Sequence, residues 1–320
     1  MRSGTFKGKL GLLVRLALSI ILIGGLAYHI GSSEILAQIK AVRWQVMAVI
    51  VMILASNVLI VTPRWMLILS ALGHKVRSGS LIGSVCLGFL FNQLLPTAVG
   101  GDVLRAWRAR QLGVPLDLAV HSVLIDRAAG VLVALLGAAV LLPFAEPSVG
   151  ERLEWIIGAV TVVSLVGYLA LWSLGRLRTL PIRVIGRLQQ GLAGLSRSIR
   201  MLIAGPSAGL PIIMLAVANQ LLPVAAIGLL ANELHAALAP LDITIIAFVS
   251  TLAAAIPISV AGWGVREGAL VFLFGLYGVS PDIAFAVSIL YGASLTLASA
   301  PGALLLLGGH ASPPAAEAPG

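Results

Sequence analysis

Pro96-Thr-Ala-Val-Gly-Gly-Asp-Val-Leu-Arg105 and Pro257-Ile-Ser-Val-Ala-Gly-Trp-Gly-Val-Arg266 are two copies of one polar element in an otherwise apolar chain. Both read proline, four residues, glycine, three residues, arginine. The echo continues downstream, where Gly113-Val-Pro-Leu-Asp117-Leu-Ala119 is answered by Gly278-Val-Ser-Pro-Asp282-Ile-Ala284. A duplicated turn with an arginine, flanked by apolar helices, is a common way for secondary transporters to build a central binding site. The pattern implies a transporter-like membrane protein rather than a soluble enzyme.

Composition puts that element in a bilayer. Of 320 residues, 59% are hydrophobic and only 10% charged, whereas soluble domains carry about a quarter charged residues. Mean hydropathy is +1.05. Several apolar runs approach the roughly 20 residues that cross a bilayer, and the longest polar stretch, 175–207, is too short to fold alone as a catalytic module. The net charge of +9 resides on basic residues lying between apolar runs. It therefore points to anionic lipid headgroups as partner and not to nucleic acid. The single cysteine, Cys86, excludes an internal disulfide, and no His/Cys spacing suits a metal, so no cofactor is expected. The basic start (Arg2, Lys7, Lys9, Arg15) before an apolar run to Ile30 resembles a signal peptide, but no convincing cleavage site follows. It is read as a retained first span.

Apolar segments fall at 12–30, 44–62, 80–95, 118–142, 154–174, 208–230, 243–257, 265–278 and 282–308. Three are short: 80–95, 243–257 and 265–278 reach only about 21–24 Å as helices, against a hydrocarbon core of about 30 Å. Lys and Arg prefer the cytoplasmic side. With the N-terminus inside, the loop holding Arg64, Lys75 and Arg77 lies inside, but full crossing by 80–95 would put Arg105, Arg108 and Arg110 outside. A re-entrant hairpin, 80–95 in and 102–112 back, keeps them inside. The acidic loop with Glu146, Glu151 and Glu154 is then outside, the six-arginine segment 175–207 inside, and only Lys40, Arg43 and Arg152 break the rule. The second short pair enters from the opposite face. The expected fold is all-α and polytopic, with about six transmembrane helices and two re-entrant helical hairpins in an inverted repeat, or eight or more spans if every short helix crosses. It occupies 1–308 as one integral membrane domain, with a disordered tail at 309–320 and both termini cytoplasmic. Within it, 181–203 spaces Ile182, Ile185, Leu188, Leu192, Leu195, Ile199 and Leu202 as an amphipathic helix on the inner leaflet.

Non-helical backbone at membrane depth survives only when buried in protein or lining a wet cavity, so the Gly100-Gly101 and Gly262-Trp263-Gly264 turns are expected to face one. Each opens a helix whose free amides and dipole favour an anion, with an arginine in the first turn. The expected substrate-binding set is Asn92, Pro96, Gly100, Gly101, Asp102, Arg105, Asp126, Arg127, Pro257, Gly262, Gly264, Arg266 and Glu267, with no catalytic residue. The alternative makes both turns packing corners whose arginines pair with Asp102 and Glu267. Asp126 and Arg127 lie too deep in 118–142 to snorkel. Asp126 is expected to neutralise an arginine at the first tip, bind a proton, or both; the alternative is a structural ion pair. Adjacent on a helix, the two point about 100° apart and are not simply each other's partner. Asn219 and Gln220 are expected to hydrogen-bond between helices, and His121 to be a packing histidine. The glycines around 262–268 lack the strand of a nucleotide loop and are not read as one.

Asn92-Gln-Leu-Leu-Pro96, Gly100-Gly-Asp-Val-Leu-Arg105, Asp126-Arg127-Ala-Ala-Gly130 and Pro257-x4-Gly262-x-Gly264-Val-Arg266-Glu267 together resemble the lysylphosphatidylglycerol synthase transmembrane, or flippase-like, family, over about 10–308. The resemblance implies a bacterial-type cell-envelope membrane domain associated with moving anionic or aminoacylated phospholipids between leaflets. The soluble aminoacyl-transfer domain often fused to it is not expected here, so the family's synthase activity is not carried over. Where many members have glutamate before the arginine of the Asp126-Arg127 pair, this chain has the shorter aspartate. The expected function is flippase-like transport of an anionic phospholipid or of an isoprenoid or glycolipid phosphate across the cytoplasmic membrane. A membrane-embedded lipid-modifying enzyme and a non-catalytic partner of a lipid-biosynthesis enzyme are the alternatives.

Overall fold

Four runs among the described residues are long and apolar enough to cross a bilayer: Trp44–Ala71, Leu116–Phe144, Gly209–Glu233 and Pro281–Leu307. Two shorter apolar helices, Ser78–Leu94 and Pro240–Ala254, accompany them. The chain is a multi-pass membrane protein, all-helical throughout its described structure. The computed structural model describes residues 32–94, 100–147, 149–155, 157–159, 161–162, 194–199, 206–255 and 264–307. The expected first span 12–30, the tail 309–320 and most of the arginine-rich segment 181–203 lie outside these residues.

In chain order the helices are α1 (Ser32–Ala41), α2 (Trp44–Ala55), α3 (Asn57–Ala71), α4 (Ser78–Leu94), α5 (Gly100–Gln111), α6 (Leu116–Leu141), α7 (Pro206–Glu233), α8 (Pro240–Ala254), α9 (Val265–Leu276), α10 (Pro281–Ala298) and α11 (Ala300–Leu307). A 3-10 turn, Leu142–Phe144, extends α6. One expectation is corrected here. The sequence reading ended the second apolar segment at residue 62 and put Arg64 in a loop. The helix instead continues through Pro63 to Ala71, and the interruption comes earlier, at Ser56, whose hydroxyl donates to the Ile53 carbonyl at 2.6 Å. Neighbouring helices re-satisfy the backbone around an intramembrane proline, so Pro63 did not mark a helix end.

The internal repeat is visible in the backbone. α4, α5 and α6 follow the same order as α8, α9 and α10: a short apolar helix, a 12-residue helix, a glycine corner and a longer helix. The corners match in detail. Gly113 and Gly278 both adopt positive φ, +89° and +73°, where glycine avoids the Cβ clash other residues meet. At each, the next amide reaches back five residues, Val114 to Ala109 at 3.1 Å and Val279 to Phe274 at 3.2 Å, closing the preceding helix as a Schellman motif does. Pro115 then caps α6 and Pro281 takes the first position of α10, where a missing N–H costs nothing. Residues 95–99 and 256–263, which link the first two helices of each set, lie outside the described residues.

Each half has its own apolar core. Val58, Trp65, Leu69, Leu81, Val85, Ala106, Val114 and Val123 join α3 to α6, while Ile50, Leu135, Leu230, Ile245, Leu270, Phe274 and Val287 join α2 and α6 to α7–α10. Polar ties run between helices: Asn57 Nδ2 donates to Asn219 Oδ1 at 2.7 Å, and Gln220 Nε2 to Thr251 Oγ1 at 2.9 Å. Asn219 and Gln220 are thus interhelical glue, each tie contributing about 0.6 kcal/mol. At 194–199, the described part of the arginine-rich segment is helical, with Leu195 and Ile199 packed against Ile68, Leu72, Ile125 and Ile212 and Arg197 exposed. The outward faces carry large exposed apolar side chains, Leu59, Leu136, Val140, Met214 and Leu221 among them, the surface a lipid-facing bundle requires.

Candidate functional site

Charge inside an apolar bundle needs a partner or a purpose, and three helices bring five charged residues together. α3 supplies Arg64, α5 supplies Asp102 and Arg105, and α6 supplies Asp126 and Arg127. Asp126, 2% exposed, is shared: Arg64 Nε donates to its Oδ1 at 2.6 Å and Arg105 Nη1 to its Oδ2 at 2.8 Å. Both arginines are themselves buried, at 4% and 6% exposure. Arg127, one residue on and turned to another side of α6, pairs with Asp102 near the start of α5.

Arg105 is held from several sides. Its guanidinium lies 4.4 Å from the centroid of the Trp65 ring, a cation–π arrangement, and Trp65 is fixed in turn by its Nε1–H donating to Ser122 Oγ at 3.0 Å. Its stem runs over Gly88 of α4, where an added Cβ would meet Arg105 Cγ at 2.8 Å. Gly101 lies against the Gly88 carbonyl and the Asn92 side chain, so two glycines allow α4 and α5 to approach backbone to backbone. Asn92 Oδ1 accepts the Gly101 amide at 3.0 Å.

The second copy of the motif is built differently. Gly264, at φ +91°, starts α9, and Glu267 reaches back to accept its amide at 2.6 Å, the return half of a capping box. The same fully buried carboxylate takes Arg266 Nε at 2.9 Å and pairs with Nη2. Arg266 also lies 5.6 Å from the Tyr291 ring centroid. Here one arginine meets one carboxylate.

One expectation changes as a result. The amides of Gly101 and Gly264 are not free to cradle an anion, because Asn92 and Glu267 occupy them. Asp126 pairs with Arg105 as expected of an acid that neutralises an arginine at the first tip; of the pairs in the alternative reading, Arg266–Glu267 is present, while Asp102 goes to Arg127. Gly100 begins α5, while Pro96, Pro257 and Gly262 lie outside the described residues. His121 is buried with Nδ1 3.3 Å from Ser198 Oγ. Sequence reasoning missed Arg64 and its neighbour Trp65. The signal was present, since apolar residues resume at Trp65-Met-Leu-Ile-Leu69, but the segment was ended at residue 62 and Arg64 was placed in a loop.

Two arginines on one aspartate leave donors over. Among the described residues, Arg64 Nη1 and Arg105 Nε and Nη2 are buried with no hydrogen-bond partner. An unmet buried donor costs about 1–3 kcal/mol, and such groups are few in native proteins. Three around one carboxylate leave the cluster short of acceptors.

The sequence compared with known families matches, over residues 12–302, the one described as Lysylphosphatidylglycerol synthase TM region. The chain belongs to this family. As a member of the Lysylphosphatidylglycerol synthase TM region family, it has both motif copies and the Arg64–Asp126–Arg105 cluster within the matched span. No curated protein matches the chain.

Proposed function

We propose that the protein moves a lipid with an anionic, phosphate-bearing headgroup between the leaflets of the cytoplasmic membrane. The headgroup passes the Arg64–Asp126–Arg105 cluster while the acyl or isoprenoid tails stay in the bilayer. The observation that carries this reading is the set of three unmet guanidinium donors on Arg64 and Arg105. Arginine's planar fork suits phosphate oxygens, and membership of a lipid-related membrane family supports a lipid as the bearer. The cluster is closed off in the described conformation, with both arginines more than nine-tenths buried, so the helices around it must part to admit a headgroup.

In the same reading, α4–α5 and α8–α9 are re-entrant hairpins that enter from opposite faces, the first from the cytoplasm. Their lengths support this: 17 and 12 residues, then 15 and 12, against about 20 for a span. In a variant lacking Cys86, a cysteine at Leu112 is expected to react with an impermeant thiol reagent from the cytoplasmic face, and one at Val279 from the outer face. Labelling of position 112 from outside contradicts the hairpin.

Purified protein in liposomes tests the activity. Leaflet exchange of a fluorescent phospholipid without covalent change is the expected result. Appearance of a new lipid species assigns the site to a lipid-modifying enzyme instead, and neither result leaves a partner role.

A further inference from the structure

The surplus at the cluster is a charge as well as a set of donors, and its size is countable. Arg64 and Arg105 bring two positive charges, and Asp126, whose two oxygens each accept from a guanidinium, brings one negative. Asp102 and Arg127 close on each other. Of the other groups packed here, α4 carries no charged residue, Arg108 of α5 lies over Trp107, Asp242 is in the first turn of α8, and the only charge described on α7 is Glu233 at its far end, which is bonded to Arg43. His121, on α6, is directed to Ser198. Among the described residues, the three side chains that meet at Asp126 therefore sum to one positive charge.

We infer that Asp126 is a charge filter: the cluster accepts the singly charged headgroup of a lipid phosphodiester and turns away the doubly charged form of a phosphomonoester. The inference rests on the reading that a lipid phosphate reaches these arginines. Attraction between the cluster and a ligand grows in proportion to the ligand's charge, but the cost of stripping water from the ligand grows steeply, roughly as its square in a low-dielectric medium. A site with one surplus charge is neutralised by a monoanion, whereas a dianion leaves a buried, uncompensated negative charge. Without Asp126 the surplus becomes two, and the preference turns toward the dianion.

Ligand titration tests this on the unaltered protein. Phosphomonoesters lose their second proton near about pH 6, while a diester stays singly charged. The protein in phosphatidylcholine nanodiscs doped with phosphatidylglycerol or with phosphatidate is measured at pH 5 and pH 9, reading bound lipid by native mass spectrometry. Phosphatidylglycerol should bind equally at both values, which also controls for titration of the protein. Phosphatidate should match it at pH 5 and fall about tenfold below it at pH 9, a difference of about 1.4 kcal/mol. Asp126→Asn should reverse the order at pH 9; where that variant does not fold, the wild-type titration decides alone. Phosphatidate bound as well as phosphatidylglycerol at both pH values overturns the filter and leaves the transport reading intact. Binding of neither lipid overturns both.

Discussion

Asp126→Ala is expected to destabilise the protein more than any other single change at a charged residue. Removing one partner of a buried ion pair costs about 3–5 kcal/mol, because the other charge is left uncompensated, and here two buried guanidinium groups lose the same carboxylate. Thermal unfolding in detergent should show a large fall in midpoint or failure to recover folded protein. Asp117→Ala, exposed in the first turn of the same helix, should stay within about 0.5 kcal/mol of wild type. Arg64→Gln should be milder than Asp126→Ala, since Asp126 keeps Arg105, and adding it to Asp126→Ala should recover part of the loss. Equal melting of Asp126→Ala and Asp117→Ala would show that the three residues do not act as one network.

Gly101→Ala is the second large effect. The new methyl group would meet the Gly88 carbonyl oxygen and the Asn92 side chain. A backbone atom cannot swing aside as a flexible side chain can, so α4 and α5 must separate. Overpacking of this kind costs about 1–3 kcal/mol. It should also disturb lipid exchange, because Arg105 lies one turn further along α5 with its stem across Gly88. Gly83→Ala on α4 is the matched control: an added Cβ there meets nothing within 4 Å, and alanine is favoured over glycine in a helix by up to about 1 kcal/mol. That variant should be neutral or more stable. If both substitutions behave alike, the close approach of α4 and α5 does not position Arg105.

The features that could be read in advance were those set by local chemistry. The duplicated Pro-Gly-Arg element and the Gly113 and Gly278 corners are local, and the corners appear in the structure as matched positive-φ helix ends. Among the described residues, apolar runs showed where helices lie, with boundaries off by a few residues except at 44–62, where the helix continues to Ala71. Pairing between charges was not readable in the same way, because it depends on which faces α3, α5 and α6 present to each other. Asp102 is the nearer acid to Arg105 in sequence, yet Asp126 holds it. Arg64 was missed because the apolar segment was ended at residue 62 and the arginine was placed in a loop, whereas the helix runs on to Ala71 and holds it among apolar side chains, where a charge needs a partner. The two motif copies looked equivalent as sequence, but Arg266 is matched one to one by Glu267, while Arg64 and Arg105 share Asp126. Unmet buried guanidinium donors on Arg64 and Arg105 accompany the first copy.

Lipid exchange in liposomes, compared between wild type, Arg105→Ala and Arg110→Ala at matched reconstitution, addresses the site most directly. Arg105 and Arg110 lie on the same helix, one buried in the cluster and the other exposed. A charge in a water-poor site acts at lower effective dielectric than one at the surface. Arg105→Ala should therefore abolish exchange of an anionic phospholipid, Arg105→Lys should restore it in part, and Arg110→Ala should leave it near the wild-type rate. Exchange by Arg105→Ala at the wild-type rate would contradict a headgroup path through the Arg64–Asp126–Arg105 cluster.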